Sequence, residues 1–259
     1  MRFGEMLADW RNAMRLGAMF PLAVAALLAI PAGPSRADEF SPEQKKAIEG
    51  IVHDYLLQHP EVLIEAVQSA DDKMKADAHD KAAKVLAERR KDIFDDPTSP
   101  VAGNPRGDVT MVEFFDYRCP YCKQVEPALE KVIAGDQKLR FVYKEFPVLG
   151  PASKTAARAA LAAKKQGKYD AFHRAMMAAK GNISDDTVYS VAGSVGLDVA
   201  QLKRDMAAPE IDKTLKDNYD LADALAINGT PAFVVGNQII PGAVGVDELK
   251  EAIAEARKK

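Results

Sequence analysis

Cysteine is nearly absent: 259 residues carry only Cys119 and Cys122, three positions apart. A scaffold stapled by disulfides is thereby excluded, since it needs several bridges across long loops. Histidine is scarce too. His53, His59, His79 and His173 have no ligand spacing to the cysteines, so a four-ligand zinc site finds no support and the histidines read as surface residues of helices. Excess positive charge is also missing. With 35 Lys and Arg against 38 Asp and Glu the net charge is -3, which leaves no polyanion-binding footprint and no nucleic-acid partner. Apolar runs are short: the longest, Leu16 to Ile30, falls below the roughly 20 residues that span a bilayer.

That run has a different use. Arg2, Arg11 and Arg15 precede it, Pro31 and Pro34 break it, and Ser35-Arg36-Ala37 offers small residues at the two positions a signal peptidase reads. Residues 1–37 are therefore expected to be a cleavable signal peptide. An uncleaved anchor is the alternative, and Pro21 and the small-residue site weigh against it. The mature chain should begin near Asp38 with a net charge of about -5. With no later spanning segment, a soluble product in the periplasm, an oxidising compartment, is expected.

Ser41-Pro42-Glu43-Gln44 reads as a helix start with capping Ser, Pro at the first position and Gln at the third. Ile48, Ile51, Val52, Tyr55 and Leu56 follow at helical spacing, and Pro60-Glu61 opens a second helix expected to reach about Phe94, on the order of 50 Å long at 1.5 Å per residue. From Ser69 to Arg90 its apolar stripe is mostly alanine, too thin to anchor it by burial. Residues 38–94 thus read as a segment that pairs with copies of itself, or else as a lone solvated shaft. Residues 95–108, rich in Pro and Gly, read as a linker.

Residues 109–259 show an α/β pattern. Strands are expected at Val109–Phe115 and Leu139–Tyr143 with a helix from Pro120 to about Ala134 between them. A helical block fills about 150–227. The segments Ala232–Val235 and Gln238–Ile240 flank a Gly236-Asn237 turn, and a last helix runs from about Val246 to Arg257.

A Cys-x-x-Cys pair at a strand-to-helix junction has a definite chemistry. Unpaired N–H groups and the helix dipole stabilise an anion at Cys119, with Arg118 beside it, so its pKa should be low. Cys122, one turn on, can attack a mixed disulfide formed at Cys119. Cys119 is then the attacking thiol and Cys122 the resolving one. The other readings are an inert structural disulfide, which so small a loop makes ineffective, and a soft Cu(I) site on both thiolates.

Glu113-Phe114-Phe115-Asp116-Tyr117-Arg118-Cys119-Pro120-Tyr121-Cys122, Lys144-Glu145-Phe146-Pro147 and Gly229-Thr230-Pro231-Ala232-Phe233 together resemble the DsbA-like branch of the thioredoxin superfamily over residues 109–257. The resemblance implies a thioredoxin fold with an inserted helical domain, a redox-active Cys119–Cys122 disulfide and no other cofactor. It implies that Pro120 and Tyr121 tune the redox potential and that Thr230 with a cis Pro231 faces the active site and pairs with substrate. It further implies that Glu113 is a buried acid moving protons beneath the cysteines, with Lys144 as its partner. Together with the Cys-Pro-Tyr-Cys centre and Thr230, the N-terminal helices resemble suppressor-of-copper-sensitivity C (ScsC) proteins. That implies a homo-oligomer, dimer or trimer, acting on exported cysteine-containing proteins and reset by a membrane redox partner. Three functions remain open: an oligomeric disulfide isomerase or reductase, a monomeric disulfide oxidase, and a periplasmic Cu(I)-binding protein for copper tolerance.

Overall fold

A computed structural model describes residues 40–258; the expected signal peptide lies outside the described residues. The N-terminal helix α1 (Pro42–Gln58) starts as the sequence predicts. The Gln44 N–H donates to Ser41 Oγ at 3.2 Å, and the Ser41 N–H donates to Gln44 Oε1 at 2.8 Å. No residue of α1 is buried. The helix α2 (Pro60–Glu88) follows, then the short α3 (Arg90–Phe94). No helix among the described residues is long and apolar enough to cross a membrane.

The chain divides into two compact units between Leu63 and Ile64, not at residue 94 as the sequence suggested. The reason is burial. Within the second unit Ala82 and Leu86 of α2 and Ile93 and Phe94 of α3 are all core residues. The expected 95–108 linker is likewise part of this unit. Asp96 accepts from the Thr98 N–H at 2.8 Å and the Ser99 hydroxyl at 2.8 Å, which folds the turn back. Strand β1 (Val101–Gly103) then pairs antiparallel with β3 (Leu139–Glu145), Val101 opposite Val142.

The sheet has the order β1-β3-β2-β4-β5, where β2 is Val109–Phe115, β4 Ala232–Val235 and β5 Gln238–Pro241. Strands β2 and β3 are parallel, joined through α4 (Pro120–Gly135), and the other pairs are antiparallel. Alternation then sorts the side chains onto two faces. Met111, Phe115, Phe141, Tyr143 and Phe233 pack with α4, with α10 (Val246–Arg257) and with the inserted helices α5 (Pro151–Lys165), α6 (Tyr169–Ala178), α7 (Asp185–Ser194) and α8 (Val199–Asp205). Val112, Phe114, Val142 and Val234 pack with α2, α3 and α9 (Pro209–Ala224).

Alternation also overturns one expectation. Glu113 sits opposite Tyr143 and Phe233, whereas Lys144 sits opposite Phe114, on the other face. Lys144 is 1% exposed and donates to Asp96 Oδ2 at 2.6 Å and to the Asp92 carbonyl at 3.0 Å. It is therefore a tether for the residues after α3, not the partner of Glu113. Burial lowers the Asp96 acidity first, and the Lys144 bond and charge overcome it, holding the carboxyl at about 2. Lys144 itself stays below the ordinary lysine value because its lost hydration outweighs what Asp96 returns. The two shifts together describe a pair that fixes position more than it adds net stability.

Because the folded pKa of Asp96 is depressed, its contribution to stability is full above pH 4 and lost as pH falls towards 2. Asp96→Asn strands a buried ammonium and is expected to lower unfolding free energy by about 3 kcal/mol. Denaturant titration should show that loss at pH 7 and a narrower gap from the parent protein by pH 2; an equal gap at both would contradict the assignment.

Candidate functional site

The turn before α4 is built by Asp116. Its carboxylate accepts from the Arg118 N–H at 2.7 Å and the Leu149 N–H at 2.9 Å, while its carbonyl accepts from the Cys119 N–H at 3.0 Å. That clamps the end of β2 to the loop after β3 and delivers Cys119 to the N-cap of α4, with Pro120 as the first helical residue. Both cysteines are thiols here, Cys119 3% and Cys122 0% exposed. Tyr121 stands out at 61% exposed, beside the pair.

The two thiols are unequal. A hydrogen bond from Cys122 is the main force pulling the Cys119 pKa down, against burial and with help from Thr230 and the Cys122 and Tyr121 backbone, to about 5. The same bond, then burial and the Glu113 charge, push Cys122 far up. Arg118, whose guanidinium donates to the Leu149 carbonyl, is not among the groups that lower the Cys119 pKa. At neutral pH Cys119 is thus a thiolate and Cys122 a proton-holding donor to it.

Thr230 and Pro231 meet the pair. Their peptide bond is cis, and the Cys119 thiol lies 3.2 Å from the Thr230 carbonyl. Glu113 is fully buried, and neither carboxylate oxygen has a hydrogen-bond partner. Burial first, then the charges of Glu126, Cys119 and Glu145, raise its pKa well above the ordinary carboxylate value.

Sequence reasoning missed the polar cluster behind the site. His173 of α6 is a core residue, not a surface one. It stacks on Tyr169, lies 3.1 Å from the Tyr117 hydroxyl and 3.4 Å from Glu126. Glu145 accepts from the hydroxyls of Tyr169 at 2.8 Å and Tyr117 at 3.2 Å, and burial raises its pKa. The one signal available was the phase of Glu145 in a strand buried on both faces, which places an acid inside.

A thiol of lowered pKa at a helix N-terminus, a second thiol one turn on and a cis-proline beside them, all on a helix-interrupted thioredoxin-like sheet, are the parts that thiol–disulfide exchange requires. Comparison with known proteins narrows the class. The DsbA-like thioredoxin domain family matches residues 110–254, and the chain belongs to it. The N-terminal domain of the copper resistance protein ScsC matches residues 44–76. A thioredoxin-like oxidoreductase from Silicibacter pomeroyi DSS-3 is 48% identical, with a TM-score of 0.65 over 66% of this chain and 98% of that one. ScsC of Proteus mirabilis in a transitional conformation is 31% identical, with a TM-score of 0.63 over 85% of this chain and 97% of that one. The curated Na(+)/H(+) antiporter NhaA 1 of Salinispora arenicola is 29% identical over 60% of this chain, and the match spans only 24% of that protein's length.

Thiolate absorbance should titrate with a midpoint near pH 5 in the reduced protein. Cys122→Ala removes the main stabilising donor and should raise the midpoint by about one unit or more, whereas Cys122→Ser, which keeps a donor, should stay nearer the parent value. The folded pKa lies below the ordinary thiol value of 9.0, so the stability that Cys119 lends the reduced form is full above pH 9 and lost as pH falls through 5.

Proposed function

We propose that the protein is an oligomeric periplasmic disulfide isomerase or reductase acting on exported cysteine-containing proteins through Cys119 and Cys122. The observation that carries the reading is the combination of a Cys119 thiolate with an unpartnered apolar face on α1. Ile48, Ile51, Val52 and Tyr55, at steps of three and four, are all exposed. Such a face favours self-association, which places several thiolates around one misfolded substrate and excludes a membrane oxidase from each. A membrane redox partner keeps the pair reduced. Once Cys119 is held in a mixed disulfide its charge no longer helps keep Glu113 protonated, so the Glu113 carboxylate forms, accepts the Cys122 proton as Cys122 attacks, and returns it on reduction.

The oxidase reading is favoured by one observation: a strongly lowered Cys119 pKa stabilises the reduced pair and makes the disulfide a stronger oxidant. The Cu(I) reading rests on the two thiolates alone, since among the described residues no group of three or more His, Cys, Asp or Glu comes together.

Ile51→Glu with Tyr55→Glu tests the assembly without touching the core. Light scattering should show an oligomer for the parent and a monomer for the double variant, and the monomer should lose scrambled-ribonuclease isomerase activity while gaining dithiol oxidase activity. A parent protein that is already monomeric contradicts the proposal, and Cu(I) retained against a micromolar competitor by the parent but not by Cys119→Ser would favour the metal reading. Glu113→Gln should slow mixed-disulfide resolution by about 100-fold at neutral pH and flatten its pH profile.

A further inference from the structure

Within the second unit a cavity of about 470 Å3 opens beside the Thr230–Pro231 loop. One wall comes from β5 and the loop before β4, with Ile227, Ile239 and Pro241. The other comes from α2, through Ala78 and Ala82 together with Lys75 and His79. These alanines are four residues apart and so share one helix face. Ala82 is buried, Ala78 half-buried, and Leu86 one turn further on is core, so the wall is anchored where it meets the groove. Alanine on α2 serves a second purpose here: larger side chains would fill the space. The alanine stripe is thus a groove wall as well as a poor seam.

The groove's mouth is the loop whose Thr230 carbonyl lies 3.2 Å from the Cys119 sulfur. A polypeptide whose sulfur bonds to Cys119 comes within reach of Thr230, and so of the groove that Thr230 and Pro231 line. The cavity has the size of a small-ligand pocket, room for a few side chains and not for a helix-long contact. Resting on thiol–disulfide exchange at Cys119, we infer that α2 is a substrate-selecting wall, Ala78 and Ala82 completing a groove that takes an apolar side chain next to the substrate cysteine.

The test uses the full-length protein with Cys119 and Cys122 oxidised. A peptide thiolate attacks the Cys119 sulfur; the peptide–Cys119 bond forms, the Cys119–Cys122 bond breaks, and Cys122 leaves as a thiolate that takes up a proton. Two peptides, one with leucines and one with serines flanking the cysteine, are compared by quenching and mass spectrometry, with each rate divided by that of glutathione, which is too small to reach α2. The leucine peptide should react about tenfold faster than the serine peptide, the scale expected from partly burying one leucine. Ala78→Trp, at a half-buried helix position, should bring that ratio close to one, and Ile239→Ala should reduce it from the opposite wall. A parent ratio of one, or a ratio unmoved by Ala78→Trp, overturns the inference while leaving exchange at Cys119 intact. A ratio that changes with protein concentration and not with Ala78→Trp assigns the groove to a second copy and also overturns it. If glutathione itself does not react with the oxidised pair, the exchange reading falls and takes this one with it.

Discussion

The hydrogen bond from the Cys122 thiol to the Cys119 sulfur is the interaction on which the rest turns. It is one bond, but it sets both acidities in opposite directions, lowering Cys119 and raising Cys122. Its geometry requires that Cys119 occupy the N-cap of α4 and that Cys122 sit one turn inside, fully buried. Asp116 secures that placement from the strand side, and the Thr230 carbonyl closes it from the loop side. The buried Glu113 below completes an arrangement in which charge resides on the outer sulfur and protons on the inner groups.

Around this centre the polar interior is unusually dense. Glu113, Glu145, His173 and the hydroxyls of Tyr117 and Tyr169 share one side of the sheet. Buried polar groups without partners are costly, and Glu113 has none. Buried acids of this kind cluster at functional sites, and the Cys119 charge acts on this one. Glu145 differs: two tyrosine hydroxyls and the Asn218 bond to its backbone carbonyl tie it to α6 and α9, so it positions the inserted helices on the sheet.

The N-terminal region has two natures. In α1 nothing is buried and the apolar residues face outwards, whereas Ala82 and Leu86 of α2 and Ile93 and Phe94 of α3 belong to the second unit's core. Lys144 and Asp96 pin the segment that follows. Removing residues up to 94 would therefore open the core at Leu86, Ile93 and Phe94, and any function of the exposed helix must be probed by changing its surface.

Much of this was legible in the residues. The capping box at Ser41, the Cys-Pro-Tyr-Cys centre at a strand-to-helix junction, the Gly236-Asn237 hairpin and the run of helices between the β-strands all rest on local preferences, which act over a few residues. What the tertiary structure alone decided concerns groups far apart in sequence. Only strand register shows that Lys144 lies on the face away from Glu113, and only packing brings Glu126, Glu145 and His173 behind the cysteines. The three-residue strand β1 was read as linker because pairing with β3, not its own sequence, makes it a strand. By itself the sequence determined that two cysteines stand one turn apart at the start of a helix, because helix termini and spacing are local. The depth of the Cys119 shift and the wall that α2 presents were decided by the tertiary structure, since burial and long-range contact exist only once the chain has closed on itself.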